Sequence, residues 1–263
     1  IDHQGNVGVR DRVVTPSRDR LTALRRLVQR VLAATPAEQR PILCAATGPG
    51  PVDEELGGFA PIGDNDWREL PIRNSITEVV GCPTILESTG RAYALASSEG
   101  SSAIGLHLGD DVDGGVVVGG RLLQGERGSA GAFAHLVVDV EGRSCVCGKS
   151  GCLDSYASVR GIEATTGRGL VSTPSSLITQ SGMMVARACA SLAAMMDIQR
   201  IRIGGVVVEA FRETFIESIR DELAERTRLS HLKQLDVGVA QLHVLAGASA
   251  VALATDASQL DTP

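Results

Sequence analysis

Aromatic residues make up only 3% of this 263-residue chain, and Trp67 is its one tryptophan. Cores poor in aromatics must be built from Val, Leu, Ile and Ala, within an ordinary hydrophobic share of 43%. No run approaches 18 consecutive apolar residues, which excludes a transmembrane helix. The opening Ile1-Asp2-His3-Gln4-Gly5 has no basic segment followed by an apolar one, so it does not read as a signal peptide. It also lacks Met, so the chain reads as a piece of a longer protein. No Lys/Arg cluster with interleaved aromatics accompanies the net charge of −6. Nucleic-acid binding by this segment is therefore not expected, because phosphate neutralisation needs clustered cations. Low-complexity tracts, heptads and short repeats are absent as well.

Alternating sheet and helix patterns argue for an α/β protein. Val7 to Pro16 alternates apolar and charged residues as a half-buried strand does. A helix is expected from about Ser17, with Leu21, Leu24, Leu27, Val28, Val31 and Leu32 on one face. Ile42 to Ala46 reads as a buried strand, the run 47–53 as a rigid loop, and Pro83 to Glu87 as a strand feeding a helix. Ile104 to Leu108 and Val116 to Val118 form an expected hairpin, with Asp113-Gly114 in its turn. Later come a helix around Met183 to Met196, the strand Arg200 to Ile203, and a Gly204-Gly205 turn. A helix through Phe211, Phe215, Ile219 and Leu223 follows, then strand material at 237–239 and 243–245, and a closing small-residue helix. The Ser/Gly-rich stretch 97–102 is the candidate boundary between a first lobe, 1–98, and a second, 99–245. The closing helix, 246–263, is placed with the first.

Six cysteines are present, and three crowd into Cys145-Val146-Cys147-Gly148-Lys149-Ser150-Gly151-Cys152. The glycines let the backbone fold tightly around one ion, and a structural zinc site wants four soft or borderline ligands. Disulfides are the weaker reading, since cysteines one residue apart bridge poorly. His135, ten residues upstream, is available as a fourth ligand. Cys44, Cys82 and Cys189 lie in apolar surroundings and read as small core residues. That distribution fits a reducing cytoplasm with one metal site.

The knuckle, continuing Leu153-Asp154-Ser155-Tyr156, resembles the signature of the ROK family of repressors, open reading frames and sugar kinases. Gly131-Ala132-Phe133-Ala134-His135 resembles that family's Gly-Glu-x-Gly-His block, and the likeness runs through the whole chain. The resemblance implies an actin-like, ribonuclease H-like ATPase fold of two lobes, with the zinc knuckle in the second lobe. It also implies His135, Cys145, Cys147 and Cys152 as zinc ligands, a homodimer formed through the second lobe, and a sugar and nucleotide cleft. The family's first strand, with its Asp-x-Gly-Gly-Thr phosphate loop, has no counterpart here.

Against that pattern the phosphotransfer residues are altered. The family's Glu-Asn-Asp-Ala-Asn-Ala, whose Asp is the base, is matched by Glu87-Ser88-Thr89-Gly90-Arg91-Ala92. Thr89 is a very poor base near neutral pH, and losing a base costs about two to four orders of magnitude in rate. The second phosphate loop, Gly-Thr-Gly-x-Gly-x-Gly in the family, becomes Gly109-Asp110-Asp111-Val112-Asp113-Gly114-Gly115. Asp110, Asp111 and Asp113 would repel a polyphosphate, and they read as an acidic solvated turn rather than a Mg²⁺ or Ca²⁺ site. By the same resemblance a small sugar-like ligand would meet Ser88, His135 and Asp154, where the family has Asn, His and Glu. The family's other sugar-side Glu is Ala132, and its adenosine-side Gly-Gly-Gly is Gly204-Gly205-Val206. Trp67 reads as a packing anchor rather than a sugar platform. His3, His107, His231 and His243 show no ligand spacing and read as structural or surface residues. These features point to a catalytically inactive regulatory or sensor domain. In that reading DNA is contacted only through a domain upstream of Ile1. A sugar kinase with unusual residues and a pseudokinase that binds a protein partner are the competing expectations.

Overall fold

The structure of the protein is a computed structural model that describes residues 1–255 except 3, 5, 227–232, 243 and 244. His3, His231, His243 and the start of the expected 243–245 strand lie outside the described residues. The chain divides into two compact units, one of Ile1–Ser88 with the helix after Leu245 and one of Thr89–Val244. The division falls at Ser88/Thr89 rather than at the Ser/Gly-rich stretch 97–102. The helix that ends in this stretch packs on the strands that follow it, so it belongs with them.

In the first unit a parallel pair joins β1 (Cys44–Gly48) to β4 (Thr84–Ser88). A short antiparallel pair, β2 (Val52–Asp53) and β3 (Gly58–Phe59), lies between them in sequence. Helices α1 (Arg20–Ala34), α2 (Ile72–Val80) and α8 (Ala246–Ala254) complete the unit. Phe59, Ile72, Ile76 and Leu86 form its core, with Leu21, Leu24 and Trp67 packed against them. Two expectations are corrected here. Ile42 is 78% exposed, so β1 starts two residues later than the apolar run suggested. Val7 to Pro16 forms no strand, because alternation needs a neighbouring ladder and none is present among the described residues.

The second unit is built on a five-stranded sheet in the order β7-β6-β5-β8-β9. Its strands are β5 (Ala103–Leu108), β6 (Val112–Val118), β7 (Arg121–Leu122), β8 (Arg200–Gly204) and β9 (Asp236–Val239). Side-chain parity along β5 assigns the two faces. Ile104, Leu106 and Leu108 join a core with Ile201 and Ile203 of β8, α6 (Ser175–Met196) and α7 (Val206–Arg226). Gly105 and His107 face α3 (Thr89–Ser97) instead, where a Cβ on Gly105 would meet Ala94 at 2.4 Å. His107 is half-buried there, 5.8 Å from the Tyr93 ring, and burial pushes its imidazole below the ordinary value. Helix α7 is interrupted at Arg212, whose φ of 48° is non-helical.

The β5–β6 hairpin turns earlier than its sequence suggested. Gly109-Asp110-Asp111 makes the reversal, closed by a 3.0 Å bond from Gly109 N to Asp111 O. Asp113 and Gly114 lie inside β6, opposite His107 and Leu106. Gly114 is needed for close approach rather than for turning: a Cβ there would sit 2.5 Å from the Phe133 ring.

Glu222 of α7 is 8% exposed and accepts from Arg187 Nε of α6 at 3.0 Å and from Arg226 Nε. Burial alone would raise its carboxyl, but the two guanidiniums outweigh burial and hold it below the ordinary value of 4.5. A depressed acid stabilises the fold above its unfolded pKa, and that contribution is lost as pH falls through the folded value. Glu222→Ala is expected to cost about 1–3 kcal/mol at pH 7, read as a lower urea midpoint. The deficit relative to the unaltered protein should shrink as the pH falls below about 4.5.

Candidate functional site

The cysteine knuckle folds as one hydrogen-bonded loop. Cys145 N donates to Lys149 O at 2.7 Å, and Gly148 N to Cys145 O at 2.9 Å. Gly151 N donates to Arg143 O at 2.8 Å while Gly151 O accepts from Val138 N, also at 2.8 Å. At Gly151 only glycine fits: φ is +77°, and a Cβ would lie 1.7 Å from Asp139 O. Tyr156, in the short helix α4 (Asp154–Ala157), moors this loop to the core. Its buried hydroxyl donates to Asp139 Oδ2 at 2.8 Å and accepts from Arg143 N at 3.0 Å, with the Arg143 guanidinium 4.5 Å above its ring.

Within this frame His135, Cys145, Cys147 and Cys152 bring one donor atom each to within 4.8 Å of one another, a set able to hold a metal ion. His135 Nδ1 lies 3.5 Å from Cys145 Sγ, and Cys147 Sγ lies 3.7 Å from Cys152 Sγ. Those sulfurs are too far apart for a bond of about 2.05 Å, and all six cysteines are free thiols. Burial, then the neighbouring Cys147 and Cys145 thiols, push the Cys152 thiol above its ordinary value. The thiols of Cys44 and Cys189 are raised by burial as well, to about 11 and about 12, in keeping with inert core positions.

The loop expected to lack phosphate donors is occupied by the chain's own groups. Asp154, 3% exposed, accepts Val112 N on Oδ1 at 2.9 Å, and its Oδ2 lies 3.4 Å from Arg160 Nη2. Asp113 accepts Gly114 N at 2.8 Å on one oxygen and Gly90 N at 2.8 Å on the other. The carbonyls of Gly109 and Asp110 accept Val159 N and Arg160 N, the first amides of α5 (Val159–Thr166). The acidic, solvated reading therefore holds for Asp110 alone, which is exposed. Asp111 is half-buried, and burial, then Asp113 and Asp154, push its carboxyl up to about 6. Among the described residues these aspartates form no metal-ligand group with one another.

The remaining positions fall as follows. Thr89 opens α3, and Ser88, 3% exposed, ends β4 in the other unit. Ala132 immediately precedes the 3-10 turn Phe133–His135, and Val206, 46% exposed, starts α7. Trp67 packs edge-on to Phe59 at 6.4 Å under the Arg20 guanidinium, as a packing anchor does. One buried cation escaped the sequence reading. Arg91, 3% exposed, donates to Leu123 O, Ala130 O and Gln124 Oε1, each at 2.7 Å. An arginine inside the small-residue helix α3 was the available signal.

The Asp111 shift has a readable sign. Its folded carboxyl binds a proton that the unfolded chain releases near 3.8, so stability falls as pH rises between about 4 and 6. Asp111→Asn is expected to raise stability at pH 7.5 by roughly 1–2 kcal/mol, after allowance for solvent screening. The gain should vanish near pH 4 in chemical denaturation.

Comparison with known proteins supplies the family. The ROK family model matches residues 1–256. N-acetylmannosamine kinase of Salmonella typhi is 27% identical over 254 residues, 88% of this chain and 86% of that one. The ROK hexokinase of Thermus thermophilus superposes with a TM-score of 0.76 at 27% identity, covering 92% of this chain and 88% of its own. A ROK family transcriptional regulator, described as a homologue of the E. coli MLC protein, gives 0.71 at 22% identity, covering 90% and 68%. No helix among the described residues is long and apolar enough to cross a membrane. With its sugar-kinase-like, actin-like α/β fold and a family match over nearly its full length, this chain belongs to the ROK family.

Proposed function

We infer that the chain is a catalytically inactive ROK protein of the regulatory or sensor kind, in which a zinc knuckle serves architecture. The observation that carries this reading is the state of the β5–β6 loop. Phosphoryl transfer asks such a loop to offer bare amides to phosphate oxygens. Here Gly109 N, Val112 N and Gly114 N already donate to Asp111 O, Asp154 Oδ1 and Asp113 Oδ1. An incoming phosphate would have to displace carboxylates that it also repels. Thr89, at the position where the resemblance puts the catalytic base, adds a second obstacle, since a hydroxyl does not take a proton near pH 7.

Zinc is the metal that fits the knuckle. A tetrahedron with Zn–S of about 2.3 Å and Zn–N of about 2.0–2.1 Å has S···S edges near 3.8 Å and S···N edges near 3.6 Å. Two of the six donor spacings, 3.7 Å between Cys147 and Cys152 and 3.5 Å between Cys145 and His135, match such edges, and all four donors lie within 4.8 Å of one another. Bound there, zinc would supply a structural cross-link, with Nδ1 of His135 as its nitrogen ligand.

A second reading, an ATP-dependent sugar kinase, is favoured by the likeness to an N-acetylmannosamine kinase and a hexokinase. A homodimer and a sugar-like ligand met by Ser88, His135 and Asp154 remain part of the first reading. Light scattering and titration calorimetry test them, and micromolar binding of a hexose would favour a true sensor over a purely structural role.

Two outcomes are expected. Purified protein should carry about one zinc per chain by elemental analysis, and chelation or Cys147→Ser should lower Tm by roughly 5–10 °C. Zinc-free protein from unchelated buffers would sink the metal assignment. With ATP and glucose, mannose, N-acetylglucosamine or N-acetylmannosamine, ADP release should stay at the no-enzyme level, and Thr89→Asp should not restore it. Sugar-dependent turnover by the unaltered chain would establish the kinase instead.

A further inference from the structure

The three thiols of the knuckle are not equivalent. Cys152 is 1% exposed and Cys145 9%, whereas Cys147 is partly open to solvent on a loop whose neighbours Val146, Gly148, Lys149 and Ser150 are all exposed. A Cβ at Gly148 would meet nothing within 4 Å, so the loop is open at the residue that follows Cys147. Cys152 Sγ lies 3.7 Å from the Cys147 sulfur and is reached through a four-residue loop with glycines at 148 and 151. Cys145 is one residue away from Cys147, a spacing that bridges poorly.

We propose that Cys147 and Cys152 are a peroxide-sensitive pair, and that their oxidation to a disulfide expels the metal while the rest of the knuckle stays folded. This rests on the zinc reading given above. The Cys147 thiolate attacks one peroxide oxygen and breaks the O–O bond, giving a sulfenic acid and hydroxide. The Cys152 thiolate then attacks the Cys147 sulfur, forming the S–S bond and expelling a second hydroxide. Two sulfurs thus give up two electrons to one hydrogen peroxide, and solvent protons turn both hydroxides to water. A disulfide leaves only His135 and Cys145 as donors, too few for a closed tetrahedral site.

The loop does not depend on the metal alone. Gly151 remains bonded to Arg143 and Val138, and Tyr156 to Asp139 and Arg143, through groups that oxidation does not touch. Oxidation is therefore reversible: a dithiol reductant with added zinc rebuilds the site.

The test follows the whole chain treated with hydrogen peroxide at one to ten equivalents. Zinc is read by a chromogenic chelator, and cysteine linkage by alkylation and peptide mass mapping. About one disulfide, Cys147–Cys152, is expected per zinc released, with at least 80% of the zinc rebound after dithiothreitol and zinc are added. Cys44→Ser, outside the knuckle, should leave both readouts unchanged. Zinc retained at ten equivalents while exposed Met195 oxidises would overturn the proposal, as would release with a Cys145–Cys147 bridge or with sulfinic acid. Protein that carries no zinc before oxidation would instead bring down the metal reading on which the proposal stands, and the two failures are told apart by that first measurement.

Discussion

Burial of one short segment, Cys152 to Ser158, constrains most of what surrounds it. Leu153 and Ala157 are fully buried in the main core, and Tyr156 is 1% exposed. Because the core fixes this segment, Cys152 is held where the other donors converge, Asp154 faces the β5–β6 turn, and Tyr156 meets the base of the knuckle. Ser158 then caps α5 through a 2.9 Å bond from Gly161 N, so the carbonyls of the turn meet a helix start of fixed orientation. Apolar packing in this way sets the His/Cys cluster and the acidic turn at once. Neither could shift without repacking Leu153 and Tyr156, and close-packed interiors resist that.

The acidic turn illustrates how charge and hydrogen bonding trade places. A loop of glycines leaves its amides free for an external anion, while a loop of aspartates brings the anion with it. The Asp113 and Asp154 carboxylates satisfy backbone donors, and Arg160 offsets part of the mutual repulsion around Asp154. The residual cost appears in Asp111, through its burial first and then the like charge of Asp113 and Asp154. It is an electrostatic cost carried by a single side chain rather than by the backbone.

Much of this was legible in the residues, for identifiable reasons. Cys145, Cys147 and Cys152 are close in sequence, so their convergence is a local property, and His135 needed only a short return of the chain. The strands with strong apolar character, β5 and β8, were found near their observed limits for the same reason. Other features depended on partners remote in sequence. Val7 to Pro16 has the alternation of a strand but no ladder to join. Asp113-Gly114 looked like a turn because that pair favours reversals, yet Phe133, 19 residues on from Gly114, claims the space and the real turn is Gly109 to Asp111. The roles of Asp154 and Asp113 as acceptors for Val112 N and Gly90 N were invisible for the same reason, since side-chain capping across 42 and 23 residues leaves no periodic mark.

Arg91 carries a consequence for motion. Its guanidinium reaches both ends of the irregular run 123–130 at once, through Leu123 O and Ala130 O, and the Gln124 side chain besides. A loop fastened at both ends by one planar group does not fray residue by residue. It opens as a unit when that group withdraws, so amide protons along it would exchange with a shared rate set by one side chain's rotamer change. The buried arginine thereby turns a length of irregular backbone into a single cooperative element.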